Sequence, residues 1–90
     1  MRVCILDGEK VKNREMLHDA LSHELALPDW YGRNLDALYD CLTDIREETE
    51  IQLLNESILK ENLGDYIKIL MKVIYTAAKV NPQIRWRTEE

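Results

Sequence analysis

The chain has 90 residues, 46% of them apolar and 32% charged, which is enough material for one small domain (residues 1–90) with a core of ordinary size and excludes intrinsic disorder. Lys and Arg number 12 against 17 Asp and Glu, a formal charge of -5, so the basic field that direct nucleic-acid binding needs is missing. No apolar run approaches the ~18–20 residues of a membrane span and the first residues do not form a signal peptide, so no membrane partner and a cytoplasmic location are expected.

Val3 to Leu6 is a short apolar run closed by Asp7-Gly8, a turn dipeptide, and predicts a first strand covered on both faces. Asn13 is placed to cap a helix whose apolar positions Leu17, Ala20, Leu21 and Leu25 share one side, leaving His18, Asp19, Ser22 and His23 to the polar side; this helix should end near Leu27-Pro28. Pro28 to Arg33 is a loop carrying Trp30 and Tyr31, and a second helix follows from Asn34. Thr49 to Leu54, around Ile51 and Leu53, predicts a second strand. Ser57 to Leu63 predicts a short helix closed by Gly64. Asp65 should cap the longest helix, with Ile67, Leu70, Met71, Ile74, Ala77 and Ala78 at helical spacing, stopped by Asn81-Pro82. Gln83 to Arg87 gives a last strand, with Ile84 and Trp86 as core residues if that strand is central. Strands separated by helices imply crossover connections, hence an α/β fold with a small three-stranded parallel sheet and about four helices.

The second helix is chemically unusual. At about 100° per residue, Leu35, Leu38, Leu42 and Ile45 fall within an arc of about 80° and form the buried stripe. Asp36, Asp40, Thr43 and Glu47 take the opposite side, with Asp44 close by and Tyr39 at the boundary. Acids at i,i+4 repel, yet Asp36 precedes Asp40 and Asp40 precedes Asp44 at that spacing, with no Lys in the helix. Asp36 gains from the positive end of the helix dipole; Asp40 and Asp44 do not. An acidic helix face is ordinarily only a solvated one. Three acids in a row beside Trp30, Tyr31 and Tyr39 read better as a binding face for a cationic partner. The charge excess is local: residues 36–50 hold six acids and one arginine, a net -5, so the other 75 residues sum to zero.

The segment Glu-Leu-Ala-Leu-Pro-Asp-Trp-Tyr-Gly-Arg-Asn-Leu-Asp-Ala-Leu-Tyr-Asp-Cys-Leu-Thr, Glu24 to Thr43, resembles the signature of the barstar family of intracellular ribonuclease inhibitors, and the order of elements resembles that family over nearly the whole chain. The resemblance implies a three-stranded parallel sheet with helices and a protein that inserts its second helix and preceding loop into the active site of a basic, barnase-like ribonuclease. It implies Asp40 as the central acid where a substrate phosphate would lie, Asp36 as a second charge contact, Trp30 as an aromatic packed at the enzyme's catalytic histidine region, and Asn34, Leu35, Tyr39 and Thr43 as further contacts. Asp44 joins this expected contact set. The pattern departs from the family at Arg33, which stands where the family has an acid; at Asp44-Ile45, in place of Gly-Trp; and at Thr76, in place of a glutamate on the last helix.

Other chemistries are less well supplied. His18 and His23 lie about 140° apart on a helix, cannot chelate one metal as an i,i+4 pair would, and read as surface histidines. Cys4 and Cys41 lack metal-ligand spacing and read as buried thiols. Asp36 and Asp40 have no nucleophile, metal set or glycine-rich loop beside them, so an enzyme is not expected and no cofactor is implied. Tyr31 is divided evenly between packing under its loop and facing a partner. The expectation is a stoichiometric inhibitor, monomeric when free and neutralising a ribonuclease by occlusion, as in toxin immunity. The alternative is an acidic module of the same fold that binds a basic protein without ribonuclease activity.

Overall fold

In the computed structural model, which describes residues 1–90, the elements are β1 (Arg2–Asp7), α1 (Arg14–Glu24), α2 (Leu35–Thr43), β2 (Thr49–Leu54), α3 (Glu56–Leu63), α4 (Tyr66–Val80) and β3 (Ile84–Glu89). The three strands are parallel, in the order β1-β2-β3. The expected α/β architecture of one parallel sheet and four helices is therefore present.

The sheet buries one face only. Cys4 and Leu6 of β1, Thr49, Ile51 and Leu53 of β2, and Ile84 of β3 are buried, and the register places them side by side: Cys4 opposite Ile51, Leu6 opposite Leu53, Thr49 opposite Ile84. The alternate residues face outward, and Val3 and Ile5 remain 38% and 43% exposed. This corrects the expectation that β1 is covered on both faces. Its apolar run has no second helical layer above it, and the outer face is carried instead by Glu50, Gln52, Arg85 and Arg87, with Gln52 donating to Glu50 at 2.6 Å. β2 is the central strand and β3 an edge, so Trp86 is only half-buried, its ring edge-on to Tyr75.

The open edge of β1 is closed by the end of α1. Glu24 accepts a hydrogen bond from the Ile5 N–H at 3.2 Å, and the Arg2 guanidinium donates to the Glu24 carbonyl at 3.3 Å. A strand edge whose N–H is already taken is a poor template for another chain. α1 ends at Glu24, with Leu25 as its cap, rather than near Leu27, because the chain turns through a left-handed Ala26 (φ 51°). Asn13 caps its start as expected, accepting from Met16 N–H at 2.8 Å. Gly64 follows α3 with φ 60°, the conformation that favours glycine after a helix. Asp65 precedes α4 without a side-chain capping bond and instead faces Lys68 at 3.6 Å.

The turn after β1 is built on close approach. A Cβ on Gly8 would lie 2.5 Å from the Asn55 carbonyl oxygen and 2.8 Å from Leu59 N, while Asn55 donates to Asp7 at 2.8 Å and Asn62 donates to the Gly8 and Val11 carbonyls at 3.0 and 2.9 Å. The Asn55 amide first, then the Glu9 N–H, hold the carboxyl of Asp7 below the usual range. The two nearest atoms are backbone and the third is the Ile58 Cβ at 2.9 Å, so none can swing aside. Gly8→Ala is expected to destabilise the fold by about 2 kcal/mol or more, the scale of overpacking, as measured by urea unfolding.

Candidate functional site

α2 has nine residues, too few to be stable as an isolated helix. Its stability comes from one face and both ends. Leu35, Leu38, Cys41 and Leu42 are buried, chiefly against α4. At the start, the Asn34 side chain accepts from Ala37 N–H at 2.8 Å and donates to the Gly32 carbonyl at 3.2 Å, so this expected contact residue is also the N-cap. At the other end, the buried Asn81, cap of α4, donates its amide to the Leu42 and Ile45 carbonyls at 2.9 and 3.0 Å. The end of α2 is thereby tied to the end of α4, the Leu42 carbonyl accepting the Asn81 amide in addition to the Ile45 N–H at 3.3 Å.

The helix stops at Thr43, earlier than the sequence pattern suggests. Asp44 is the C-cap, and Glu47 lies beyond the helix, paired with Arg2 at 2.6 Å. Glu48 and Glu50 lie 3.7 Å from Arg85 and Arg87. Asp36, Asp40 and Asp44 are all exposed and none has a cation within 4.0 Å. The acidic window thus divides into three glutamates tied down by arginines and three aspartates left free. Asp44 gains nothing locally, because the C-terminal end of a helix disfavours an acid. The nearby Cys41 thiol is raised by burial first and then by Asp44 and Asp40, which keeps it protonated and inert. Cys4 is pushed up to about 12, chiefly by burial.

Around these aspartates stand the other expected residues. Trp30 is 78% exposed, projecting from the loop beside a small apolar pocket of about 230 Å³ that includes Leu27, Pro28, Asp44 and Ile45. Tyr39 and Thr43 are half-buried at the edges of the face, and the Thr43 hydroxyl donates to the Asp40 carbonyl at 3.0 Å. Leu35 is largely buried, yet together with Asp36 it lines two adjoining depressions. One is a groove of about 420 Å³ between α2 and α4 that also holds Tyr39, Asp40, Ile69, Lys72, Val73 and Thr76. The other is a cleft of about 840 Å³ toward α1, with Arg14, Asp19, Arg33 and Tyr66 among its walls.

The feature the sequence reading missed is His18. Expected on the polar side, it is 3% exposed, with Nδ1 at 2.6 Å from the Tyr31 hydroxyl and Nε2 at 2.8 Å from the Tyr66 hydroxyl. A buried imidazole is tolerated when both nitrogens are bonded; here the partners lie 13 and 48 residues away, which periodicity cannot show. His18 ties α1 to the aromatic loop and to the start of α4, and Tyr31 is therefore a buried structural aromatic rather than a contact. Its neighbour Arg33, with φ 54°, is pinned outside by Asp19 at 2.7 Å and by the Glu15 carbonyl at 3.1 Å. Burial first, then the Arg33 charge, lowers the affinity of His18 for a proton, while Asp19 opposes weakly. Burial likewise raises the pKa of Tyr31 and keeps it a neutral hydroxyl.

The family model for barstar, described as the barnase inhibitor, matches residues 1–87, and the chain belongs to the barstar family. It is also 44% identical over 78 residues to YrdF of Bacillus subtilis (strain 168), provisionally named a ribonuclease inhibitor, covering 86% of each chain.

Two outcomes follow from this geometry. Asn81→Ala removes the two amide bonds to α2 and the one its Oδ1 accepts from the Gln83 N–H, a loss of about 2–3 kcal/mol, and hydrogen exchange should quicken in α2 before the sheet. For His18 the folded pKa lies below the unfolded value of about 6.5, so the unfolded chain takes up the proton first. Its contribution to stability is therefore complete above pH ~6.5 and declines as the pH falls from there toward the lowered folded pKa. Thermal unfolding between pH 8 and 5 should show this decline, and the imidazole resonance of His18 should titrate below that of a model histidine.

Proposed function

We propose that this protein is a stoichiometric inhibitor of a cationic ribonuclease and that it acts by laying α2 and the Trp30 loop into the enzyme's active site. The observation that carries the reading is the row Asp36, Asp40 and Asp44. Three exposed aspartates without internal counter-ions, on a helix clamped at both ends, offer fixed negative charge at a spacing of about 6 Å per turn. A site built to hold a phosphodiester with Lys, Arg and His side chains binds carboxylates held in that way. Membership of the barstar family and the name of the relative support ribonuclease inhibition.

Each expected residue has a role in this reading. Asp40, central on the face, takes the place of a substrate phosphate, and Asp36 meets a second cation. Asp44 extends the field along the same edge and, with the other two, speeds encounter. Trp30 supplies the aromatic anchor, while Leu35, Tyr39, Asn34 and Thr43 complete the contact surface and exclude water around the acids. The rigid mounting matters because charges already fixed in place lose little conformational freedom on binding. Inhibition inside the maker's cytoplasm, as a safeguard against its own enzyme or a competitor's, is the corresponding biological role.

The test is a titration of the protein into barnase and a panel of basic extracellular microbial ribonucleases, followed by RNA hydrolysis. One equivalent should abolish activity of the cognate enzyme, and the association rate should fall as ionic strength rises. Asp40→Ala should cost about 2–5 kcal/mol, the range for truncating one partner of a desolvated charge pair, while leaving the thermal transition in place. Equal inhibition by wild type and Asp40→Ala would sink the helix-plug mechanism. Tight binding to a basic protein that leaves RNA hydrolysis untouched would favour an acidic module without inhibitory function.

A further inference from the structure

The groove between α2 and α4 has two walls of opposite charge that do not reach each other. Asp36 and Asp40 stand on the α2 wall, Lys72 on the α4 wall, with Leu35, Tyr39, Ile69 and Val73 between them. Lys72 has no carboxylate oxygen within 4.0 Å, although two aspartates line the same groove. The other two lysines of α4 have assignments. Lys68 lies 3.6 Å from Asp65, and Lys79 sits 5.0 Å from the centre of the Tyr75 ring. The Thr76 hydroxyl is turned back onto the Lys72 carbonyl at 2.7 Å, leaving a neutral wall beside the lysine. Ile69, 53% exposed, gives this wall an apolar surface.

We propose that this groove reads a pair of opposite charges on the ribonuclease, a cation held by Asp36 and Asp40 and a carboxylate held by Lys72, with an apolar group of the enzyme packed on Ile69. The inference rests on the inhibitor reading and names the surface of the enzyme that this chain selects. A partner presenting cations alone would meet Lys72 as a like charge in a partly desolvated slot. A partner whose basic centre is bordered by an acid satisfies both walls at once. Lys72 is thus a specificity-determining residue: it contributes little to encounter with any basic protein and discriminates among them by what borders the basic centre.

Wild type, Lys72→Gln and Lys72→Glu are compared by stopped-flow association and by dissociation, against the ribonuclease of the panel that wild type inhibits. Residue 72 is exposed in mid-helix, and a glutamate there lies one turn from Lys68, so the variants fold; equal thermal transitions confirm it. The expected result is a graded loss, with Lys72→Glu binding roughly three- to tenfold more weakly than wild type and Lys72→Gln between them, as charge changes at an interface produce. Ile69→Lys should weaken the same complex through lost apolar contact. Lys72→Glu binding as tightly as wild type or more tightly overturns the proposal, because it would show that the groove receives cations alone. If wild type inhibits no enzyme of the panel, the inhibitor reading falls first and takes this one with it, an outcome distinct from a lost or reversed effect at residue 72.

Discussion

The structure turns on the clamping of a helix too short to stand alone. α2 offers solvent a row of aspartates that repel one another and receives no ion pair in return, so its exposed face works against it. What holds it is the buried stripe from Leu35 to Leu42, the Asn34 cap at one end and the Asn81 amide at the other. Asn81 is itself the terminal cap of α4, and the strand that follows, β3, completes the sheet on which both helices depend. The His18 bonds to Tyr31 and Tyr66 perform the same service for the loop before α2, linking it to α1 and α4.

How far the sequence discloses this depends on the range of the interaction. The strand at Thr49–Leu54 and the cap at Asn13 are local, and they are legible because period and capping chemistry act over a few residues. The burial of His18 is not legible, because residue type assigns imidazole to the polar side, whereas its environment is decided by two tyrosines far along the chain. The same applies to Asn81, which reads only as a stop signal before Pro82 until its amide is seen on the Leu42 and Ile45 carbonyls. Val3 and Ile5 failed for a different reason. Parallel sheets are usually covered on both sides, and nothing in a four-residue apolar run reveals that the outer layer is missing.

The acidic window shows how structure refines a charge count. Six acids in fifteen residues suggest one broad patch. In the folded chain, Arg2, Arg85 and Arg87 come from the two flanking strands to meet Glu47, Glu48 and Glu50, and those side chains become a surface network of modest energetic weight. The three aspartates are separated from them by the end of the helix. The early stop at Thr43 matters here, since a longer α2 would have carried Glu47 onto the same face and blurred the division.

Fold stability and the proposed binding make opposite demands on the surface of α2. For stability alone, a base four residues from Asp40, or a neutral side chain at the Asp44 cap, would be preferable, because each would relieve repulsion or a clash with the helix dipole. The fold supplies no base at either place. Lys72, which lines the same groove as Asp36 and Asp40, stands on the neighbouring helix outside ion-pair distance, so the charges remain uncompensated. A helix arranged in this way retains a repulsion that the proposed cationic partner would relieve, and the buried contacts that fix its position make that arrangement tolerable in the free protein.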